Sequence, residues 1–150
     1  MISIDEQNKL LLSISAKLKK KITVYAIGGT AMMFRGIKYQ TLDIDLVFEN
    51  KEDREIFKAA IQELGYEKTD SIKVYGLTKK NQPEMLKKED VRFDLFLEDV
   101  IHFAFSDSMK KRAEQTHHFN DILTIKAADP HDILLMKCAT DREKDKIDAK

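Results

Sequence analysis

Residues 41–48 read Thr-Leu-Asp-Ile-Asp-Leu-Val-Phe, a pattern that leaves few ways for the segment to fold. In a β-strand successive side chains point to opposite faces, so Asp43 and Asp45 share one face. Their Cα atoms then stand roughly 6.5–7 Å apart. Leu42, Ile44, Leu46 and Phe48 take the other face and can enter a core. Such a strand offers oxygen ligands on one side and anchors itself on the other. It follows a sharp break at Gly28-Gly29, which ends the β-rich run Ile22–Ile27.

A second segment repeats the design. Val91, Phe93, Leu95 and Leu97 alternate with Asp90, Arg92, Asp94, Phe96 and Glu98, so Asp94 is expected on the face opposite the core set. Aspartate is depleted in strands, and solvated strand residues are a poor explanation for three of them on two strands. Clustered like charges repel unless a cation joins them. Asp43, Asp45 and Asp94 therefore point to a metal site. Oxygen donors without a sulfur or histidine set suit Mg²⁺ or Mn²⁺ rather than Zn²⁺. Two such ions, typically ~3.5–4 Å apart, stabilise the attacking and leaving oxygens in phosphoryl transfer. Gly28-Gly29 alone reads as a tight turn. Beside Asp43 and Asp45 it reads as a place where backbone amides approach phosphate at a helix start. The Thr30 hydroxyl can cap that helix, contact phosphate, or both.

The 150 residues fit one domain spanning 1–150, with 43% hydrophobic and 35% charged residues. No apolar run reaches the roughly eighteen residues a membrane-spanning helix needs. The N-terminus lacks a basic segment followed by an apolar one, so a secretory signal is not expected. Cys138 stands alone and is expected as a buried thiol in a reducing compartment, which makes the cytoplasm the default location. Basic and acidic residues number 26 each, a balance that argues against a nucleic-acid-coating module. Lys79-Lys80 and Lys87-Lys88 are read as solvated loop residues, and His117-His118 as a surface loop.

Helices are expected over Asp5–Lys20, Thr30–Phe34, Glu52–Leu64 and Ser106 to about Gln115. A last helix opens at Asp129-Pro130, with a capping carboxylate followed by proline at the first helical position. Strands are expected over Ile22–Ile27, Asp43–Phe48, Ile72–Leu77, Val91–Leu97 and Ile122–Ile125. Strands interleaved with helices give an α/β (α+β) chain around one mixed β-sheet.

Gly28-Gly29-Thr30, then Asp43-Ile44-Asp45-Leu46, then Phe93-Asp94-Leu95-Phe96, resemble the signature of the DNA polymerase β-type nucleotidyltransferases. The nearest flavour is the small prokaryotic nucleotidyltransferase-like proteins, toxin-type members included. Phe105–Met109 with Arg112-Ala113, and Ala128–Lys137 with Arg142, Lys144, Asp145 and Asp148, resemble later segments of that group. The resemblance implies a nucleotidyltransferase fold, a mixed sheet flanked by helices. It implies transfer of a nucleoside monophosphate from an NTP to an acceptor hydroxyl on RNA, protein or a small molecule. Asp43, Asp45 and Asp94 would be the catalytic metal ligands for Mg²⁺ or Mn²⁺, and Gly28, Gly29 and Thr30 would hold phosphate. A lysine in the last helix lies near the nucleotide in that group; for Lys137 this reading and a solvated, salt-bridged helix face stand level. A cognate antitoxin is an implied partner, and no membrane is. Two departures favour an alternative, a non-catalytic nucleotide- or partner-binding relative in a toxin–antitoxin pair. Tyr39 stands where many relatives carry arginine. The chain also stops at Lys150, where relatives continue into another helix, as in a shortened chain or a minimal domain.

Overall fold

The computed structural model describes residues 2–36, 40–41, 43–69, 82–100 and 103–139. The expected strand Ile72–Leu77, Tyr39, Lys79-Lys80, Arg142, Lys144, Asp145 and Asp148 lie outside them. In chain order the elements are β1 (Ile2–Ser3), α1 (Ile4–Ser15), β2 (Ile22–Ala26), α2 (Gly28–Phe34), β3 (Gln40–Thr41), β4 (Asp43–Phe48), α3 (Lys51–Glu63) and β5 (Glu67–Thr69). There follow β6 (Glu84–Lys88), β7 (Val91–Leu97), β8 (Asp99–Val100), β9 (Phe103–Ala104), α4 (Asp107–Arg112), β10 (Gln115–Phe119), β11 (Leu123–Ala127) and α5 (Pro130–Ala139). Seven strands form a mixed sheet in the order β10-β11-β2-β4-β7-β6-β5. The β4–β7 and β11–β2 pairs are parallel and the others antiparallel.

The parallel pair β4–β7 lies at the centre. Ile44, Leu46 and Phe48 of β4 and Phe93 and Leu95 of β7 share one face and are fully buried. Phe57 of α3 packs tilted against Phe48 and edge-on against Phe93, at ring distances of 5.4 and 5.8 Å. Each such side chain stabilises the fold by about 1.5–3 kcal/mol through burial. Side-chain oxygens start the helices. Ser3 and Glu6 form a reciprocal capping box on α1. Asn50 accepts from Asp53 N on α3, Ser106 accepts from Met109 N on α4, and Asp129 accepts from His131 N at the start of α5.

Some boundaries differ from expectation. α1 ends at Ser15 rather than Lys20, because Lys17 N and Leu18 N bond to carbonyls three residues back and turn the chain inward. That turn buries Leu18 ahead of β2. The helix opened by Ser106 ends at Arg112, and Gln115–Phe119 forms β10 instead of helix and loop. The hairpin to β11 closes through Asn120 and Asp121, both at positive φ (53° and 56°), with Ile122 N donating to Phe119 O. Lys87-Lys88 belongs to β6 rather than a loop.

His117 is half-buried in β10 and stacks on Phe34 of α2 at 4.3 Å. Burial lowers its pKa from the ordinary 6.5, helped by the charges of Arg35 and His118. The unfolded chain therefore binds a proton here more readily than the folded one, and stability falls as pH drops through and below 6.5. Replacing His117 with Phe keeps the stack and removes the proton. The loss in urea midpoint between pH 7.5 and 5.5 should shrink in His117→Phe; an identical loss in both proteins would contradict this account.

Candidate functional site

The register of β4 on β7 sets Asp43 beside Arg92 and Asp45 beside Asp94. Residues paired across strands share a face, so all four project from the face opposite Ile44, Leu46, Phe93 and Leu95. Asp43 and Asp45 are half-buried. Asp94 is fully buried, not exposed on a wet face. Phe96, on the same face of β7, is only 2% exposed, so both faces of this central strand are covered.

Arg92 was legible only as one polar residue in an alternating strand, and the structure gives it a central place. Its Nε donates to Asp94 Oδ1 at 2.7 Å and its Nη2 to Asp94 Oδ2 at 3.0 Å. The same Nη2 lies 2.9 Å from Asp43 Oδ2. One guanidinium thus bridges the two strands through their carboxylates. No spacing rule could reveal this, because the contact with Asp43 depends on which strands pair and in what register.

The turn after β2 sits against the same strand. Gly28 has φ +54°, and a Cβ there would lie 2.8 Å from Asp45 Oδ2. Glycine is required here twice, for its backbone angle and for the carboxylate beside it. Thr30 is fully buried. Its hydroxyl accepts from Asp45 N at 2.9 Å and lies 3.3 Å from Asp43 O, to which it donates. Ile27 N donates to Asp45 O. Glu98 N donates to Phe48 O, so the even-numbered residues of β4 bond β7 and the odd-numbered ones turn their backbone away. Where β2 has ended, the Thr30 side chain completes that second edge. The Thr30 hydroxyl thus bonds β4, and among the described residues no side chain caps the start of α2.

Other resembling segments also meet. Arg112 binds Asp132 through two bonds of 2.8 and 2.9 Å, tying α4 to the start of α5. The pairing raises the Arg112 pKa further, chiefly through that hydrogen bond. Arg35 donates to Ala127 O and Ala128 O and fastens the end of α2 to the exit of β11. Tyr25, opposite Val47, shares the aspartate face and packs on Phe105. Burial, then Glu49 and Asp107, pushes its phenol up to about 12, so it stays neutral at ordinary pH. The side chain of Lys137 lies outside the described residues.

The donor set fits a hard divalent cation in the type of its oxygen ligands. It has three carboxylates on paired strands, and the backbone at Gly28 comes close to one of them. Among the described residues, no three acidic, histidine or cysteine side chains converge as a ready ligand group. Arg92 lies between Asp43 and Asp94 instead.

No protein-family profile matches the chain, and no curated protein matches it in sequence. Solved structures do match in fold. The crystal structure of ANT(2″)-Ia in complex with adenylyl-2″-tobramycin superposes with a TM-score of 0.55 at 17% identity, covering 95% of this chain and 84% of that one. A candidate nucleotidyltransferase from Thermotoga maritima superposes with a TM-score of 0.54 at 11% identity, covering 84% and 80%. The seven-stranded mixed sheet and its flanking helices are the nucleotidyltransferase fold.

Proposed function

We propose that the chain is a nucleotidyltransferase that moves a nucleoside monophosphate from an NTP to an acceptor hydroxyl, with release of pyrophosphate. The observation that carries this reading is the register that places Asp43, Asp45 and Asp94 on one face beside Gly28. Asp43, Asp45 and Asp94 would hold Mg²⁺ or Mn²⁺, which when bound neutralises charge on the triphosphate and favours the acceptor alkoxide. Gly28 and Gly29 present backbone to the phosphates. Asp94, once Arg92 has released its oxygens, would help take the proton of the acceptor hydroxyl as the acceptor oxygen bonds to the α-phosphorus and the bond to the β-phosphate breaks. The protein's part is positioning and charge stabilisation.

The acceptor belongs to the class of hydroxyls on RNA, protein or a small molecule. The adenylylated tobramycin bound in ANT(2″)-Ia supports the small-molecule case. A toxin-type setting with a cognate antitoxin rests on the sequence resemblance. Cytoplasmic location rests on the lone cysteine and on the absence of any long apolar helix among the described residues. A second reading is a relative that binds nucleotide or a partner without turnover. The Arg92 bridge favours it, because an internal cation already neutralises part of the carboxylate set.

Incubation with each labelled NTP, Mg²⁺ and a whole-cell extract should label one acceptor class. NTP binding without any labelled product would favour the second reading. Asp45→Asn should leave the melting temperature of the ligand-free protein unchanged or raised, since it removes one of several like charges. It should abolish both transfer and the melting-temperature rise caused by Mg²⁺-NTP. Near-normal transfer by Asp45→Asn would remove Asp45 from the site. Gly28→Ala should cost about 1–2 kcal/mol of stability from its left-handed backbone alone. It should also weaken nucleotide binding through displaced Asp45, and calorimetry showing wild-type affinity would reduce the glycine to a turn.

A further inference from the structure

We propose that Arg92 is a built-in counter-ion, which holds Asp94 and Asp43 while no divalent cation is bound and competes with the cation for their oxygens. This rests on the metal-ion reading of the same site.

Three observations carry it. First, the guanidinium uses the very atoms a cation would need. Both Asp94 oxygens are engaged, at 2.7 and 3.0 Å, and Asp43 Oδ2 at 2.9 Å. Second, Asp94 is fully buried. A buried carboxylate without a compensating charge is costly, so some cation must accompany it in every state in which it is ionised. Third, Arg92 stands two residues before Asp94 on β7 and opposite Asp43 on β4, so the register itself brings its guanidinium to both carboxylates. Its side chain is 17% exposed, so it keeps a path to solvent that the fully buried Asp94 lacks.

The exchange follows from charge and shape. Arginine's planar fork matches a carboxylate bidentately and satisfies it without water. A divalent ion carries twice the charge in a smaller volume, but must shed water to take the same oxygens. With protein ligands alone the guanidinium is a strong competitor. When a triphosphate adds its own oxygens to the ion, the balance moves toward the metal. Arg92 thereby makes cation occupancy depend on nucleotide and leaves the empty site free of repulsion between Asp43 and Asp94.

The test uses the full chain without nucleotide and Mn²⁺ as the probe, with free Mn²⁺ read by electron paramagnetic resonance. Melting temperatures are taken in chelator and in Mn²⁺. Arg92→Gln should bind Mn²⁺ on the order of tenfold tighter than wild type. It should also melt lower in chelator and gain more from Mn²⁺. Arg92→Lys keeps the charge that Asp94 needs for folding but loses the fork, so it should bind Mn²⁺ with intermediate affinity. It also serves as the deciding variant if Arg92→Gln does not fold. Equal Mn²⁺ affinity in wild type and both variants would overturn the proposal and leave the metal site standing. Arg92→Lys matching wild type would reduce Arg92 to a nearby charge, and overturn it as well. Absence of Mn²⁺ binding in all three proteins, with and without NTP, would bring down the metal reading and the proposal together.

Discussion

Like charges on adjacent strands are the constraint around which the centre of this molecule is arranged. The parallel register of β4 on β7 sets Asp45 beside Asp94, and the same register sets Asp43 beside Arg92. A shift of one residue would turn the aspartates into the core and bring Ile44 and Phe93 out. The apolar face therefore enforces the polar one. Burial of Ile44, Leu46, Phe48, Phe93 and Leu95 keeps the carboxylates of both strands on one shared face. Arg92 then offsets their repulsion within the protein itself.

Much of this was visible in the chain. Period-two alternation located β4 and β7 with their observed bounds, because each anchors one uniform apolar face. Capping oxygens located the starts of α4 and α5 within a residue. The hidden parts are those set by tertiary partners. β10 alternates weakly, and its histidines obscured it; the signal passed over was the Asn120-Asp121 pair, a combination suited to a positive-φ hairpin. The short β5 is exposed at all three residues and carries no apolar face to betray it. In the site, Asp43, Asp45 and Gly28 were legible from spacing. The roles of Arg92 and Thr30 were not, since one acts across strands and the other substitutes for strand backbone.

The Thr30 arrangement ties fold and site into one unit. Where β2 gives way to the glycine turn, β4 would lose its hydrogen-bonding partner at the very residues that carry the carboxylates. A side-chain hydroxyl from the first turn of α2 takes over that edge. The turn can thus leave the sheet beside Asp45 while Asp45 N, Asp45 O and Asp43 O of the strand keep hydrogen-bond partners. The same economy is seen at Arg35, whose fork satisfies two carbonyls where β11 ends and α5 is about to begin.

Gly28 answers to two separate masters, one torsional and one steric. This shapes how the position can drift in descendants of the chain. Loss of the Asp45 carboxylate would lift the steric bar but leave the backbone at φ +54°. Alanine would still be disfavoured there, while asparagine, which tolerates the left-handed region, would become admissible. A lineage in which Asp45 has been replaced by a smaller residue should therefore show asparagine appearing at the first glycine of the turn, so that one position records what has happened at the other.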